Sequence, residues 1–136
     1  LTISHDDLDR YRSLDGLGIG VFTGEFSFEQ AKQRIAEVMP YLTEAIAGKL
    51  YNEFQNVTFF ITRSQDYQDA QEWLELISWT LEQMTRYLIK GKLTAVDPTE
   101  YARPIIAYRI QLDTVRDFIL YGLEQYEANT PNPSDV

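Results

Sequence analysis

The chain has 136 residues, no cysteine, one histidine and a net charge of −9. Without cysteine it has no disulfide framework, no thiolate nucleophile and no zinc–thiolate site. Its acidity disfavours nonspecific binding to nucleic acid or anionic membranes, and its length fits a single domain of roughly 100–150 residues.

Ser4 is placed to cap a short helix over 6–14, with acidic residues at the positive end. Asp15-Gly16 should stop it, because glycine readily takes the left-handed conformation at a helix end. The glycine-rich stretch 16–26, with its Ile19-Gly20-Val21-Phe22 core, reads as a loop or short strand. Ser27 and Gln30 then form an S-x-x-Q capping box, in which each side chain satisfies the other's free backbone N–H. Ala31, Ile35, Val38, Leu42, Ala45 and Ile46 follow at helical spacing. Pro40 lies inside that pattern and predicts a kink near 36–40, or two shorter helices. In 50–63, the run Val57-Thr58-Phe59-Phe60-Ile61-Thr62 has strand composition. Leu50, Phe54, Val57 and Ile61 nevertheless keep a helical 4-3-4 spacing, and helix is the preferred reading.

The helix over 66–90 carries a stripe at Ala70, Leu74, Ile77, Leu81, Met84 and Leu88, widened by Trp73, with Gly91 as its stop. The helix over 98–127 begins with Asp97 as N-cap, Pro98 at the first position and Glu100 closing a capping box. Val96 and Tyr101 are spaced for a hydrophobic staple. Its stripe runs through Tyr101, Ile105, Tyr108, Leu112, Val115, Ile119, Gly122/Leu123 and Tyr126, and Pro104 should bend the first turns without ending the helix. The link 91–97 is short enough to make these two helices antiparallel neighbours. The sequence thus predicts an all-α domain over 1–128, a bundle of four to five helices built on the hairpin 66–90/98–127. A flexible tail is expected over 129–136, and a short β-ribbon of 19–23 with 57–62 is the alternative for those segments.

No assembled chemistry emerges. The spacing of Gly16, Gly18, Gly20 and Gly24 misses the dinucleotide fingerprint, and no Walker lysine follows, so a turn is expected. His5 is alone, which leaves nucleophilic triads without a base. Asp66, Asp69, Glu72 and Glu75 spiral around one helix as a solvated acidic face, with neither the Glu-x-x-His pairs of a di-iron bundle nor a calcium loop. Asn56-Val57-Thr58 matches a glycosylation sequon by chance. Paired carboxylates such as Glu29 with Glu37 or Glu44 are the remaining route to an enzyme. No cofactor, metal or small-molecule substrate is expected.

Charge is unevenly distributed. Residues 1–82 hold six Lys/Arg against fourteen Asp/Glu, whereas 83–116 holds six basic residues (Arg86, Lys90, Lys92, Arg103, Arg109 and Arg116) against three acidic ones. Tyr87, Tyr101 and Tyr108 are interleaved with these cations, a mixture able to contact phosphates and stack on bases. Phe59, Phe60, Trp79, Ile106, Ile110 and Phe118 lie partly off the helix seams, and Phe59, Phe60, Trp79 and Phe118 are candidate protein-interface residues. The expected function is a non-enzymatic interaction or scaffold subunit that docks on partner proteins or on a second copy. The alternative is a small helical subunit of a nucleoprotein complex that grips a nucleic-acid backbone through the 86–116 cations. Small subunits of CRISPR effector complexes share this size and all-helical architecture. No apolar run approaches the roughly 18–20 residues that span a bilayer, and no signal-like segment opens the chain, so a cytoplasmic location is expected. Leu at position 1 leaves open a processed chain or one cut from a longer protein.

Overall fold

A computed structural model of the protein describes residues 4–63 and 67–129; the side chains at 59, 61–63, 67, 68 and 129 lie outside the description. The described residues are almost wholly helical, and none is in a strand. In chain order the elements are α1 (His5–Ser13), α2 (Leu17–Thr23), α3 (Phe28–Val38), a single 3-10 turn (Met39–Tyr41), α4 (Glu44–Arg63), α5 (Tyr67–Thr94) and α6 (Pro98–Asn129). The expected tail from 130 onward lies outside the described residues, as does Asp66. No helix among the described residues is long and apolar enough to cross a membrane.

Local sequence grammar sets most boundaries. The Ser4 side chain accepts from the Asp7 backbone N–H, and Gly16 turns the chain with a left-handed φ of 71°. Both hydrogen bonds of the Ser27–Gln30 capping box form, at 3.0 and 2.8 Å. Pro40 sits inside the 3-10 turn that separates α3 from α4, so the 27–50 pattern resolves into two helices. The Asp97 carboxylate caps α6 by accepting from the Glu100 N–H at 3.1 Å.

Four expectations are corrected. The segment 16–26 is neither loop nor strand over most of its length, because α2 forms there. The two segments of the alternative ribbon are both helical and meet as helices, with the Phe22 and Phe60 rings 6.0 Å apart. Gly91 does not end its helix, which continues to Thr94. Its missing side chain instead admits the Tyr101 ring, since a Cβ there would stand 2.2 Å from the Tyr101 hydroxyl oxygen. The staple is not made either: Val96 is fully exposed, and the Tyr101 hydroxyl donates to the Leu42 carbonyl at 2.9 Å.

Helices α4, α5 and α6 pack on one another, with α3 against α5 and α2 against α4. Trp73, Ile77, Leu81 and Met84 of α5, Leu50, Phe54 and Val57 of α4, and Ile105, Leu112 and Ile119 of α6 are buried in one core. Trp73 lies at its centre, edge-on to Phe54 with ring centroids 5.2 Å apart. Its Nε1 donates to Thr58 Oγ1 at 3.3 Å, so the indole brings no unpaired N–H into the interior. Leu74, predicted on the stripe, is only partly buried, while Leu76 and Thr80 are buried. Contact with both α3 and α4 makes the buried face of α5 wider than a two-helix seam.

Candidate docking surface

The six basic residues of 86–116 do not behave as one free set. Arg86, Lys90, Lys92 and Arg103 are exposed. Arg109 is partly buried, and its Nε donates to Thr85 Oγ1 at 2.8 Å, tying α6 to α5. Arg116 stands 3.7 Å from Asp113 one turn away. Lys90 lies over the Tyr87 ring, 5.0 Å from its centroid.

The tyrosines interleaved with these cations are turned inward. Tyr101 spends its hydroxyl on the Leu42 carbonyl, and burial pushes its pKa above the ordinary phenol value. Tyr108 packs on Gly48 of α4 and its ring lies 6.2 Å from that of Tyr51. Both rings are thus partly buried against α4 and its N-terminal approach.

The candidate interface residues separate as well. Phe60 is exposed beside Phe22, whereas Phe118 is exposed at a groove of about 430 Å³ between α4 and α6, shared with Tyr51, Gln55 and Val115. Trp79 is partly buried against the core, with the Lys32 ammonium over its ring. The Phe59 side chain lies outside the described residues.

Exposed aliphatic side chains are instead concentrated toward the α5–α6 connection. Among the described residues, five of the seven strongly exposed Ile, Leu and Val side chains are Ile89, Leu93, Val96, Ile106 and Ile110. Leu93 is 82% exposed and Ile110 59%. The Thr85–Arg109 hydrogen bond fixes their relation. Ile89 lies four residues beyond Thr85, and Ile106 lies three before Arg109, so both sit one turn nearer the connection on the same side of the helix pair. The sequence marked Ile106 and Ile110 as off-seam but not Ile89 or Leu93. Their signal was legible: both fall outside the 4-3-4 stripe of α5.

A second cluster holds α2 in place. Glu53 is buried, and its Oε1 accepts from the Gly18 N–H at 3.0 Å, supplying the first turn of α2 with the acceptor that Gly16 cannot provide. Lys49 bridges Asp15 and Glu53, the latter at 3.7 Å. The hydrogen bond to Asp15 holds the Lys49 ammonium pKa above its ordinary value; burial opposes this, and the charges of Asp15 and Glu53 add to it. Lys49 and Tyr101 both bind their proton more tightly when folded. Their stabilisation is therefore complete below the unfolded values, roughly 10, and is lost as pH rises through the folded ones. Urea midpoints should fall above about pH 10, and Lys49→Met should shallow that decline. An unchanged slope in the variant would remove Lys49 from this role.

Catalytic arrangements are not evident in these surroundings. Among the described residues, no group of three His, Asp or Glu is placed to hold a metal ion. Glu29, Glu37 and Glu44 are each exposed, as is His5. A cleft of about 750 Å³ between α1 and α4 is bordered by Asp7, Tyr11, Glu44, Lys49, Asn52 and Tyr108. Its lysine is already committed to Asp15 and Glu53, and its Asp7 to Arg10 at 3.0 Å. Compared with known proteins, the chain matches no family model, no curated protein and no solved structure.

Proposed function

We propose that this protein is a non-enzymatic helical subunit that docks on a partner protein through the α5–α6 turn. The observation that carries the proposal is the concentration of exposed Ile89, Leu93, Val96, Ile106 and Ile110 at one end of one helix pair. Scattered exposed aliphatics are ordinary on a protein surface, but a contiguous patch rimmed by polar residues is the usual mark of an interaction site. Among the described residues nothing covers the patch, and α5 and α6 bury other residues against the core.

A double substitution, Leu93→Asp with Ile110→Asp, tests the reading. It changes only exposed side chains, so the helical circular dichroism and the unfolding midpoint should stay close to wild type. Proteins that co-purify with the tagged wild-type chain from its own cells should be depleted at least about tenfold with the variant, as expected when central apolar contacts are lost. Equal recovery from both would contradict docking at this end.

The exposed Arg86, Lys90, Lys92 and Arg103 give nucleic-acid contact a second standing, as a grip on phosphates alone. Tyr101 and Tyr108 are partly buried against α4, which supports stacking less than exposed rings would, and aliphatic side chains at the centre of the patch serve a protein better.

A further inference from the structure

Resting on the docking reading, we infer that the α5–α6 surface receives an acidic amphipathic helix of a partner protein. Shape and charge both select this occupant. Ile89 and Leu93 are one turn apart on α5, and Ile106 and Ile110 are one turn apart on α6. With Thr85 level with Arg109, Ile110, Ile106, Ile89 and Leu93 follow one another along the line between α5 and α6, a succession that fits the i, i+3/i+4 and i+7 anchors of a third helix. The residues are branched aliphatics, which interdigitate with Leu or Ile side chains and offer no ring to a nucleobase.

Charge supplies the sign. Residues 86–109 hold five basic residues against two acidic ones, while the rest of the chain holds seven against nineteen. An acidic helix is therefore drawn to this end, since the remainder of the chain is net acidic. Arg86 and Lys90 on α5 and Arg103 on α6 are exposed around the aliphatic centre, where they meet carboxylates at the rim. Such rim charges set association rate and partner choice more than total affinity, while the apolar centre holds the complex together. A second copy of this chain, with net charge −9, brings mostly acidic surface but also the same basic end, so an isologous pairing of these patches opposes cation to cation.

Two designed helical peptides of about 18 residues serve as probes. They share one face of Leu at i, i+3, i+4 and i+7 and carry either Glu or Lys on the other. Fluorescence anisotropy with the full chain should show the Glu peptide bound at least about tenfold more tightly than the Lys peptide, a preference that shrinks as salt rises from roughly 50 to 500 mM. Leu93→Asp with Ile110→Asp should abolish binding, and Arg86→Glu with Arg103→Glu should reverse the preference while the fold is retained by circular dichroism. Equal binding of both peptides, still lost in the Leu93/Ile110 variant, overturns the acidic specificity and leaves docking intact. Binding of neither peptide, binding of a single-stranded DNA oligonucleotide that competes with the Glu peptide, or self-association that masks the patch each overturns the inference. Docking itself falls if the co-purifying proteins are indifferent to that variant.

Discussion

Replacing Trp73 with Ala should lower the unfolding free energy by about 3–5 kcal/mol, the largest loss expected from any single truncation in this chain. Trp73 is fully buried, touches Phe54 and Phe28 edge-on, and anchors α5 against both α3 and α4. Its removal forfeits the transfer free energy of the indole and leaves a void that three helices cannot close without moving their backbones. It also leaves the Thr58 hydroxyl oxygen without the Nε1 donor, although that hydroxyl still donates to the Phe54 carbonyl at 2.6 Å. Against a typical total of about 5–15 kcal/mol, the variant should be partly unfolded at ambient temperature. Urea titration followed by far-ultraviolet circular dichroism measures the loss directly. Trp79→Ala provides the contrast, because Trp79 is only partly buried and should cost less than half as much. Equal losses at the two positions would mean that α5 does not turn this face inward.

The second large effect is expected from adding one methyl group, Gly18→Ala. On helix propensity alone the change should help α2 by about 1 kcal/mol. The structure predicts the opposite sign, because the new Cβ would stand 2.1 Å from the Glu53 backbone carbonyl oxygen. That atom belongs to the middle of α4 and cannot swing away as a flexible side chain would. Helix α2 must shift outward, which stretches the Glu53–Gly18 hydrogen bond and exposes Leu17 and Val21. The net cost should be about 2–3 kcal/mol, in the range of overpacked cores. Gly16→Ala separates sterics from backbone conformation. A Cβ at Gly16 meets nothing within 4 Å, but the φ of 71° disfavours an L side chain by roughly 1–2 kcal/mol. A Gly18→Ala protein as stable as wild type would show that α2 does not sit against α4 as described.

These two glycines mark where the sequence was opaque. Heptapeptide 17–23 has two glycines, three β-branched residues and no side-chain cap, so local preference argues against a helix. Helix α2 forms because Leu17 and Val21 reach the core and Glu53, 35 residues away, accepts from its first turn. No local pattern announces an acceptor that distant. Gly91 misled for a related reason: its composition signals a stop, but the smallness is used by Tyr101 from the next helix. Val96 and Tyr101 had the right spacing for a staple, yet Tyr101 gains a partly buried hydrogen bond at Leu42 that the staple does not offer.

Elsewhere the chain was readable. The caps at Ser4, Ser27 and Asp97 form as their side chains dictate, since each satisfies a backbone N–H within three residues. Pro40 divides the 27–50 pattern because it cannot donate to the preceding turn. Helix won over strand in 50–63 because Leu50, Phe54 and Val57 all need the core on one side. Surface composition was harder to interpret. The cations of 86–116 are close in sequence, but Arg109 reaches Thr85 and Arg116 lies near Asp113, leaving four exposed. Ile89 fell outside the stripe of its helix and Leu93 within the expected link 91–97, and the packing of α5 shows that nothing among the described residues covers them.

The docking account is tested most directly by a photo-activatable cross-linking residue placed at position 93, with a control at the exposed Gln33 of α3, in the cells that make the protein. Docking through α5 and α6 should give protein adducts from position 93 and none from position 33. Adducts in equal yield from both positions, or no protein adduct from position 93, would contradict it.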